Sequence, residues 1–395
     1  MRHQLPAWSP VTLGALYAGL APPPDAEARL TERIREEYGA QKVVLTGSGT
    51  DALALSLLAA APAGRRPRIA LPGWACYDLM TAADMVDAEV VLYDLVPETL
   101  GPDPDSLRAA LAAGPQAVIV AHWFGLPVDL ARFAPSVLAS GAVLIDDAAQ
   151  GVGTSIRGRP VGSGGEYGIL SFGRGKGRTG GAGGAAMAFG EAAAGSLAQA
   201  ASRLQAPEGG LGSVAALAAQ WALGRPWLYG IPAGLPGSRL GATLYHPARP
   251  PRRISPRSAS IVNRLWALSS NAAAIRRVNA ERWRAALGGV EGLHSYVVPD
   301  GAVAGWLRYP VLTSPKLKRL LLGSESRRHG VMPGYPGVLS DLPVRPERWL
   351  REPTDIPGAR TLVERLFTLP THHHTGDLDI EIIEKRVHTE RMSVA

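Results

Sequence analysis

The sequence has little cysteine and no long apolar run, and each shortage excludes a class of protein. Its single cysteine, Cys76, excludes an intrachain disulfide and is typical of a reducing compartment. The most apolar run, 211–223, contains Gln220 and ends before Arg225, so it is too short to span a bilayer. The first residues lack the basic and apolar regions of a secretory signal. We therefore expect a cytoplasmic protein.

Motifs for nucleic-acid binding are also missing, although the net charge is +7. The arginines are spread along the chain, and there is no RNP-like aromatic motif, helix-turn-helix signature or cysteine-based zinc pattern. These absences count against a nucleic-acid partner. The basic balance instead suits an anionic small molecule, such as a phosphorylated or nucleotide-linked sugar.

Lysine is also scarce, so the lysine in a glycine-rich loop is a candidate functional residue. The chain has five lysines among its 41 basic residues, and Lys176 lies in the loop 171–184, after the apolar run 167–172. Unlike arginine, a desolvated lysine can lose its proton and attack a carbonyl, as in a Schiff base with pyridoxal phosphate. A solvated lysine on a flexible loop is the alternative, and the loop alone does not decide between them.

Short apolar runs alternate with helical patterns through the first half of the chain, which predicts a mainly parallel sheet covered on both faces. Ligands bind beyond the carboxyl ends of the strands in such sheets. The residues at those ends are Trp74, His122, Asp147 and Gln150. The predicted strands are 43–45, 68–71, 89–94, 117–120, 142–145 and 167–172, and the predicted helices include 25–38, 53–61, 105–113 and 130–140.

Two further features suit the same cofactor as the lysine. The small residues 46–51 precede a helix, whose first N–H groups and dipole can bind a phosphate; an ordinary Ser/Thr helix cap is the alternative. Asp147 follows a buried strand and precedes Lys176 by 29 positions (176 minus 147). A pyridoxal enzyme needs an aspartate that pairs with the ring nitrogen and keeps it protonated. A structural role in a cap or loop is the alternative for Asp147.

Four motifs occur together in one order along the chain. They are Gly49-Thr50-x-Ala52-Leu53, His122-x-Phe124-Gly125-x-Pro127-x-Asp129, Asp147-Ala148-Ala149-Gln150 and Ser171-Phe172-x-x-x-Lys176. In this order they resemble the DegT/DnrJ/EryC1/StrS family of fold-type I pyridoxal phosphate enzymes, most of which are aminotransferases acting on keto-sugar nucleotides. The resemblance is good over 40–187 and looser at the carboxyl end.

The resemblance implies an α/β fold with a large domain around a mainly parallel, doubly covered sheet and a smaller α+β carboxyl-terminal domain. We place the amino-terminal arm and the large cofactor-binding domain in 1–250 and the small domain in 251–395. Residues 205–250 diverge from the family, and extra packing is favoured there over a lid or a dimer surface.

The resemblance also implies a role for each site residue. Lys176 would form the Schiff base with pyridoxal phosphate and act as the acid and base for the proton shift. Asp147 would pair with the pyridinium nitrogen, and Gln150 would lie by the phenolic oxygen. The phosphate would be held by Gly49, Thr50 and Ser171.

The implied activity is transfer of an amino group, with L-glutamate as the expected donor, to a keto-sugar nucleotide or related metabolite in polysaccharide biosynthesis. The implied assembly is a homodimer with the active site at its interface. Family members with histidine in place of the lysine are dehydratases, so Lys176 favours transamination.

Two alternatives to this activity remain. One is a pyridoxal phosphate enzyme of another reaction or substrate, and the other is a non-catalytic ligand-binding member of the fold. A P-loop NTPase is excluded because Gly177 stands where a P-loop needs Ser or Thr.

The sequence departs from the family at two positions. The aromatic residue expected four positions after Pro72 is Cys76, and we favour Trp74 over Tyr77 as the residue that stacks on the cofactor ring. If Arg257 is the family's arginine, then Ser255 stands where an asparagine should reach the partner subunit's phosphate. The cross-subunit contact and the usual substrate are therefore in question.

The rest of the chain yields structural expectations. We predict a long helix over 260–287, a strand over 306–312 with Pro310 at a sheet edge, and a helix over 317–328. The three histidines 372–374 are interpreted as a loop and not as a metal site, because no partner ligands have suitable spacing. For the basic run 249–257 a solvated linker is favoured over a nucleotide clamp, and a combination of the two is the alternative.

Overall fold

The computed structural model describes residues 3–62, 64–233, 243–351 and 355–392. The β-strands are β1 (Lys42–Thr46), β2 (Arg68–Pro72), β3 (Glu89–Tyr93), β4 (Ala117–Ala121), β5 (Val143–Asp147), β6 (Ser155–Ile156), β7 (Arg159–Pro160), β8 (Tyr167–Ser171), β9 (Gly184–Ala188), β10 (His294–Ser295), β11 (Ala302–Val303), β12 (Tyr309–Leu312), β13 (Met332–Pro333) and β14 (Leu366–Leu369). The α-helices are α1 (Leu13–Leu20), α2 (Ala26–Tyr38), α3 (Gly49–Ala60), α4 (Asp78–Met85), α5 (Pro104–Leu111), α6 (Ala134–Ala139), α7 (Glu191–Ala200), α8 (Leu211–Leu223), α9 (Pro226–Ala233), α10 (Pro256–Leu287), α11 (Pro315–Leu321), α12 (Ser324–Arg328), α13 (Pro357–Arg365) and α14 (Asp377–Met392).

A seven-stranded sheet with the order β1-β9-β8-β5-β4-β2-β3 dominates the first half of the chain. The strands from β8 to β3 run parallel, whereas β9 runs antiparallel to both of its neighbours. The sequence of β4, Ala-Val-Ile-Val-Ala, is buried along its whole length, as expected for a parallel strand covered on both faces. The predicted mainly parallel α/β fold is therefore confirmed.

Each strand predicted in this half is present, with ends that differ from the prediction by at most two residues. β9 was not predicted. Its sequence, Gly-Ala-Ala-Met-Ala, lacks the β-branched and aromatic residues that favour strands. Its place in the sheet depends on pairing with β1 and β8, which the local sequence does not predict.

Alternate residues of the sheet enter two apolar clusters, one on each face. Val44 and Ile169 pack in the cluster that contains the apolar residues of α3. Val43 and Leu170 pack with apolar residues of α2 and α10 on the other face. Successive strand residues point to opposite faces, so this alternation buries both sides of the sheet and leaves its carboxyl edge for a site.

A four-stranded antiparallel sheet, β10-β12-β14-β13, lies in the carboxyl-terminal part of the chain, where α11 packs against both α13 and α14. The expected α+β character of this part is present. The long helix α10 leads into it without a break, and Ser255 caps α10 by accepting a hydrogen bond of 3.1 Å from the Ser258 N–H. The division of the chain into domains at residue 250 stays a prediction.

Two predictions for this part need correction. β12 is an inner strand between β10 and β14, so it is not at an edge. Pro310 is tolerated there because β10 pairs only with Val311 and Leu312, which leaves the position beside Pro310 without a ladder on that side. The helix predicted over 317–328 is two helices, α11 and α12, separated at Gly323.

The divergent segment 205–250 forms α8 and α9, and its residues 234–242 lie outside the described residues. Val214 and Leu217 of α8 pack with Ala15 of α1 and Leu265 of α10 in a small apolar cluster. The described part of the segment therefore contributes packing. Within the described ranges, no helix is long and apolar enough to cross a membrane.

Candidate active site

A cavity of about 490 Å³, counting the open space at its mouth, lies at the carboxyl edge of the seven-stranded sheet. Residues at or beyond the ends of β2, β4, β5 and β8 line it, together with the start of α3. This is the edge at which a parallel sheet is expected to bind its ligand. Six of the seven expected site residues line the cavity: Gly49, Thr50, Asp147, Gln150, Ser171 and Lys176.

The start of α3 forms the end of the cavity that suits an anion. Ser48 caps this helix by accepting a hydrogen bond of 3.0 Å from the Asp51 N–H. Gly49 lies so close to Ser171 that a Cβ atom on Gly49 would be 2.7 Å from the Ser171 Cβ. The glycine therefore brings helix backbone and serine hydroxyl together, at the positive end of a helix dipole.

The basic run after residue 248 covers this helix start. The Arg249 Nη2 lies 3.0 Å from the Oδ2 of Asp51, whose side chain is fully buried. The Gly47 N–H donates a hydrogen bond of 2.8 Å to the Arg252 carbonyl. Arg249 and Arg253 are exposed, as expected for the solvated linker predicted over 249–257. The run also satisfies polar groups of the turn before α3 through its backbone and one guanidinium. Sequence reasoning missed Asp51 and Arg249 as partners.

Asp147, at the end of β5, places a buried carboxyl on the cavity wall. Its Oδ1 accepts a hydrogen bond of 2.9 Å from the Ala149 N–H. Burial raises the pKa of Asp147, while the Ala149 hydrogen bond and the nearby Lys176 act in the opposite direction. A cation bound against this carboxyl would relieve its desolvation.

The preceding residue, Asp146, points to the opposite side of the strand and holds His122. The His122 Nε2–H donates to the Asp146 Oδ1 over 2.7 Å, since the other ring nitrogen accepts a hydrogen bond of 3.0 Å from the Val128 N–H. Asp146 Oδ2 accepts two more hydrogen bonds of 2.8 Å from the N–H groups of Gly162 and Gly164. Asp146 is thus a structural carboxylate, and it fixes the buried ring of His122 beyond the end of β4. The sequence signal was the pair of acids at a strand end, where alternate residues face opposite ways.

Lys176 lines the cavity on a loop that is held at several points. Gly175 and Gly177 adopt φ values of 74° and 83°, which a residue with a side chain rarely adopts. The Gly177 N–H donates a hydrogen bond of 3.1 Å to the Ser9 Oγ, and the Gly180 N–H donates one of 2.8 Å to the Phe172 carbonyl. The lysine is half-buried, so this placement disfavours a solvated lysine on a free loop.

Trp74, the residue favoured for stacking on a cofactor ring, does not line the cavity. It is fully buried, its Nε1–H donates to the Tyr335 carbonyl over 3.3 Å, and its ring packs edge-on to Trp123. The cavity wall on this side is made by Cys76, Trp123 and Tyr335. Burial raises the pKa of Cys76 to about 12, so its thiol is protonated at neutral pH. The preference for Trp74 as the stacking residue is therefore not supported, because other residues form this wall.

Tyr335 is the cavity residue that sequence reasoning missed. It follows β13 of the small sheet and receives a hydrogen bond of 2.7 Å from the Gln150 Nε2. Gln150 Oε1 accepts another of 2.8 Å from the Phe124 N–H. A tyrosine between two Pro-Gly turns carries no local signal for such a contact, because the two partners are 185 positions apart.

Ser255 and the three histidines 372–374 lie away from the cavity. Ser255, considered for a cross-subunit phosphate contact, uses its hydroxyl to cap α10. The three histidines lie in a loop after β14, where the His372 Nε2–H donates to the Leu5 carbonyl over 2.8 Å. Across the described residues, no group of His, Cys, Asp or Glu is arranged to hold a metal ion.

The donor set fits pyridoxal phosphate. The close approach of Gly49 to Ser171 forms a cradle at a helix start that suits a phosphate, the buried Asp147 suits a protonated ring nitrogen, and Lys176 offers an amine. Gln150 lines the same cavity and offers its amide to a polar group of a ligand.

Comparison with known proteins points to one enzyme family. Residues 24–203 match the model of the DegT/DnrJ/EryC1/StrS aminotransferase family. The L-glutamine:2-deoxy-scyllo-inosose aminotransferase of Streptomyces kanamyceticus is 34% identical over 162 residues, which are 41% of this chain and 38% of that enzyme. The chain thus matches well under half the length of this curated relative.

Solved structures extend the likeness to the whole chain. The aminotransferase TlmJ from Streptoalloteichus hindustanus has a TM-score of 0.76 at 22% identity, with 100% of both chains covered. A putative sugar aminotransferase from Streptococcus pneumoniae, solved in its PLP-form, has a TM-score of 0.75 at 17% identity, again with 100% of both chains covered. At these identities the likeness shows a shared fold.

Proposed function

We propose that this chain, whose residues 24–203 match the model of the DegT/DnrJ/EryC1/StrS aminotransferase family, is a pyridoxal phosphate-dependent aminotransferase of that family. The observation that carries the proposal is the single cavity that brings together Lys176, the buried carboxyl of Asp147 and the start of α3. These three elements come from distant parts of the sequence, and each meets a separate requirement of the cofactor.

Each residue has a defined task in this proposal. Lys176 Nζ would hold the cofactor and would move the proton at the substrate carbon. Asp147 would keep the ring nitrogen protonated, and the bound cofactor would supply an electron sink. Ser171, Gly49 and Thr50 hold the phosphate at the positive end of α3. Cys76 and Tyr335 line the same cavity and would lie near the ring.

The proposed reaction moves an amino group from L-glutamate to the keto group of a sugar nucleotide or a related metabolite. The named relative uses L-glutamine and a cyclic polyhydroxy ketone, so L-glutamine is the second donor to test. The net charge of +7 suits an anionic acceptor. A role in polysaccharide biosynthesis and a cytoplasmic location belong to the same proposal.

We also propose a homodimer. The exposed large apolar side chains include Tyr17 on α1 and Trp227 and Ile231 on α9, which are 72%, 72% and 62% exposed. Exposed apolar side chains of this size support an interface with a second copy of the chain. Sedimentation or light scattering on the purified protein would measure the assembly directly.

The proposal is tested by the visible absorbance of the protein after incubation with pyridoxal phosphate, before and after addition of L-glutamate or L-glutamine. We expect a visible band in the wild type that disappears when a donor converts the cofactor to its amine form. The band of the lysine-linked cofactor should be missing in Lys176→Ala. Lys42→Ala, which removes an exposed lysine at the start of β1, should behave like the wild type.

Two other results would separate the alternatives. A stable band that ignores both donors would favour a pyridoxal phosphate enzyme of another reaction. No band in the wild type would contradict the enzyme proposal and leave a ligand-binding member of the fold.

A further inference from the structure

Tyr335 reaches the cavity from the small sheet and is fixed there by packing. Its backbone carbonyl accepts the Trp74 Nε1–H, and its ring lies 5.7 Å from the ring of Trp123 and 6.3 Å from that of Phe124. A Cβ atom on the preceding Gly334 would be 2.7 Å from the Trp74 Cζ2, so backbone and indole are in close contact. The tyrosine ring therefore has little freedom to leave Gln150.

The amide of Gln150 is held in one orientation. Its Oε1 accepts the Phe124 N–H, and its Nε2 donates to the Tyr335 hydroxyl. Rotation of the amide by 180° would set Nε2 against the Phe124 N–H, which is a contact between two donors. Because an amide nitrogen carries two hydrogens, the second one remains for a ligand in the cavity that Gln150 lines.

Residues of the carboxyl-terminal part of the chain fix the position of the Phe124 N–H. Phe124 has φ 57° and ψ 17°, a left-handed conformation that is strained for a phenylalanine. The Gly305 N–H donates to the Gly125 carbonyl over 2.9 Å, and a Cβ atom on Gly125 would be 2.9 Å from the Trp306 nitrogen. Both anchors of Gln150 thus depend on residues of the carboxyl-terminal part.

Burial raises the pKa of Tyr335 well above its ordinary value. The phenol therefore stays protonated at neutral pH. Its oxygen is free to accept from Gln150, and it does not become a phenolate that would attract a cation instead.

We propose that Tyr335 is a positioning residue for Gln150. It holds the Gln150 amide so that the second Nε2–H is directed at the phenolic oxygen of the cofactor. The packing of the small sheet thereby influences the protonation of that cofactor. This inference rests on the proposed function. A donor on the phenolic oxygen stabilises the anionic form of that oxygen. It therefore lowers the pH at which the lysine-linked cofactor loses its proton.

Tyr335→Phe keeps the ring and removes the hydroxyl. We expect the pH midpoint of the visible band to rise by about half a unit to one unit, which is the effect of one hydrogen bond. Tyr296→Phe is the matched control. Its hydroxyl also joins the carboxyl-terminal part to the large sheet, by a hydrogen bond of 2.8 Å to the Pro97 carbonyl, but it lies away from the cavity. Its midpoint should equal that of the wild type.

A double-mutant cycle then decides whether Tyr335 acts through Gln150. The midpoint of Gln150→Ala should already be raised, and adding Tyr335→Phe to it should produce no further change. An unchanged midpoint in Tyr335→Phe, or the same rise in the Gln150→Ala background, would overturn the proposed role. A wild type without any visible band would overturn the proposed function together with this inference, so the two failures are distinguishable.

Discussion

The guanidinium of Arg249 lies 3.0 Å from the buried carboxylate of Asp51, on the first turn of the helix whose start faces the cavity. An unopposed negative charge at that position would repel a phosphate bound at the helix start. Arg249 therefore offsets the charge of Asp51 and fastens the segment after residue 248 onto the turn before α3.

Removal of this guanidinium is the first prediction. Arg249→Ala leaves the buried Asp51 without its cation, so we expect a loss of about 1 to 3 kcal/mol in the free energy of unfolding and weaker cofactor binding. Denaturant titration and cofactor titration measure the two effects. Arg108→Ala is the control, because its pair with Asp105 is exposed on both sides and should be worth less than about 1 kcal/mol. Equal effects in the two variants would contradict the assigned role.

The second prediction concerns the contact between Gly49 and Ser171. Gly49→Ala places a Cβ atom 2.7 Å from the Ser171 Cβ, so the helix start and the serine must separate. We expect cofactor affinity to fall by at least about tenfold, as for loss of one charge-assisted hydrogen bond. Gly195→Ala in α7 meets no atom within 4 Å and should leave affinity unchanged, while stability stays equal or rises. Normal cofactor affinity in Gly49→Ala would contradict the proposal that the contact between Gly49 and Ser171 forms the phosphate site.

The adjacent acids of β5 should respond in opposite ways. Asp147→Asn removes the proposed partner of the ring nitrogen, and we expect the rate of amino transfer to fall by about 100-fold or more. Asp146→Asn should mainly lower stability, because its carboxylate accepts from His122 and from the N–H groups of Gly162 and Gly164. Single-turnover rates and unfolding midpoints of both variants separate the two roles. A fall in rate without a fall in stability for Asp146→Asn would contradict the structural role of Asp146.

The pKa of Asp147 gives a prediction for the protein without cofactor. Burial raises this pKa, so the folded chain binds the proton more tightly than the unfolded chain does. The contribution of Asp147 to stability is then full below the unfolded pKa and is lost as the pH rises through the folded pKa. We expect Asp147→Asn to be more stable than the wild type at neutral pH, and the difference to vanish at low pH. Equal unfolding midpoints at all pH values would show that the carboxyl is not desolvated.

Local patterns predicted the large sheet and brought most of the candidate site together, for physical reasons. The strands are short apolar runs whose residues must be buried on both faces, and the parallel pairing of β5 and β8 places Asp147 and Ser171 at one edge. A glycine-rich loop after a buried strand was likewise visible at Lys176. The roles of these residues stay proposals.

Contacts between distant residues explain what the sequence did not predict. Tyr335 meets Gln150 across 185 positions, and Arg249 meets Asp51 across 198. The sequence favours Trp74 because an aromatic residue is expected near Cys76. In the structure the Trp74 indole contacts Tyr335, and Tyr335 in turn contacts Gln150. Such pairs depend on tertiary packing, which local periodicity and turn chemistry do not encode.

The most direct test of the central claim is reduction of the cofactor-loaded protein with borohydride, followed by peptide mass mapping. Hydride reduction converts a bond between lysine nitrogen and cofactor carbon into a stable amine, which marks the lysine involved. The account predicts the added mass on the peptide that contains Lys176, its loss in Lys176→Ala and its retention in Lys42→Ala. Added mass on another lysine, or none in a protein that has bound the cofactor, would contradict the account.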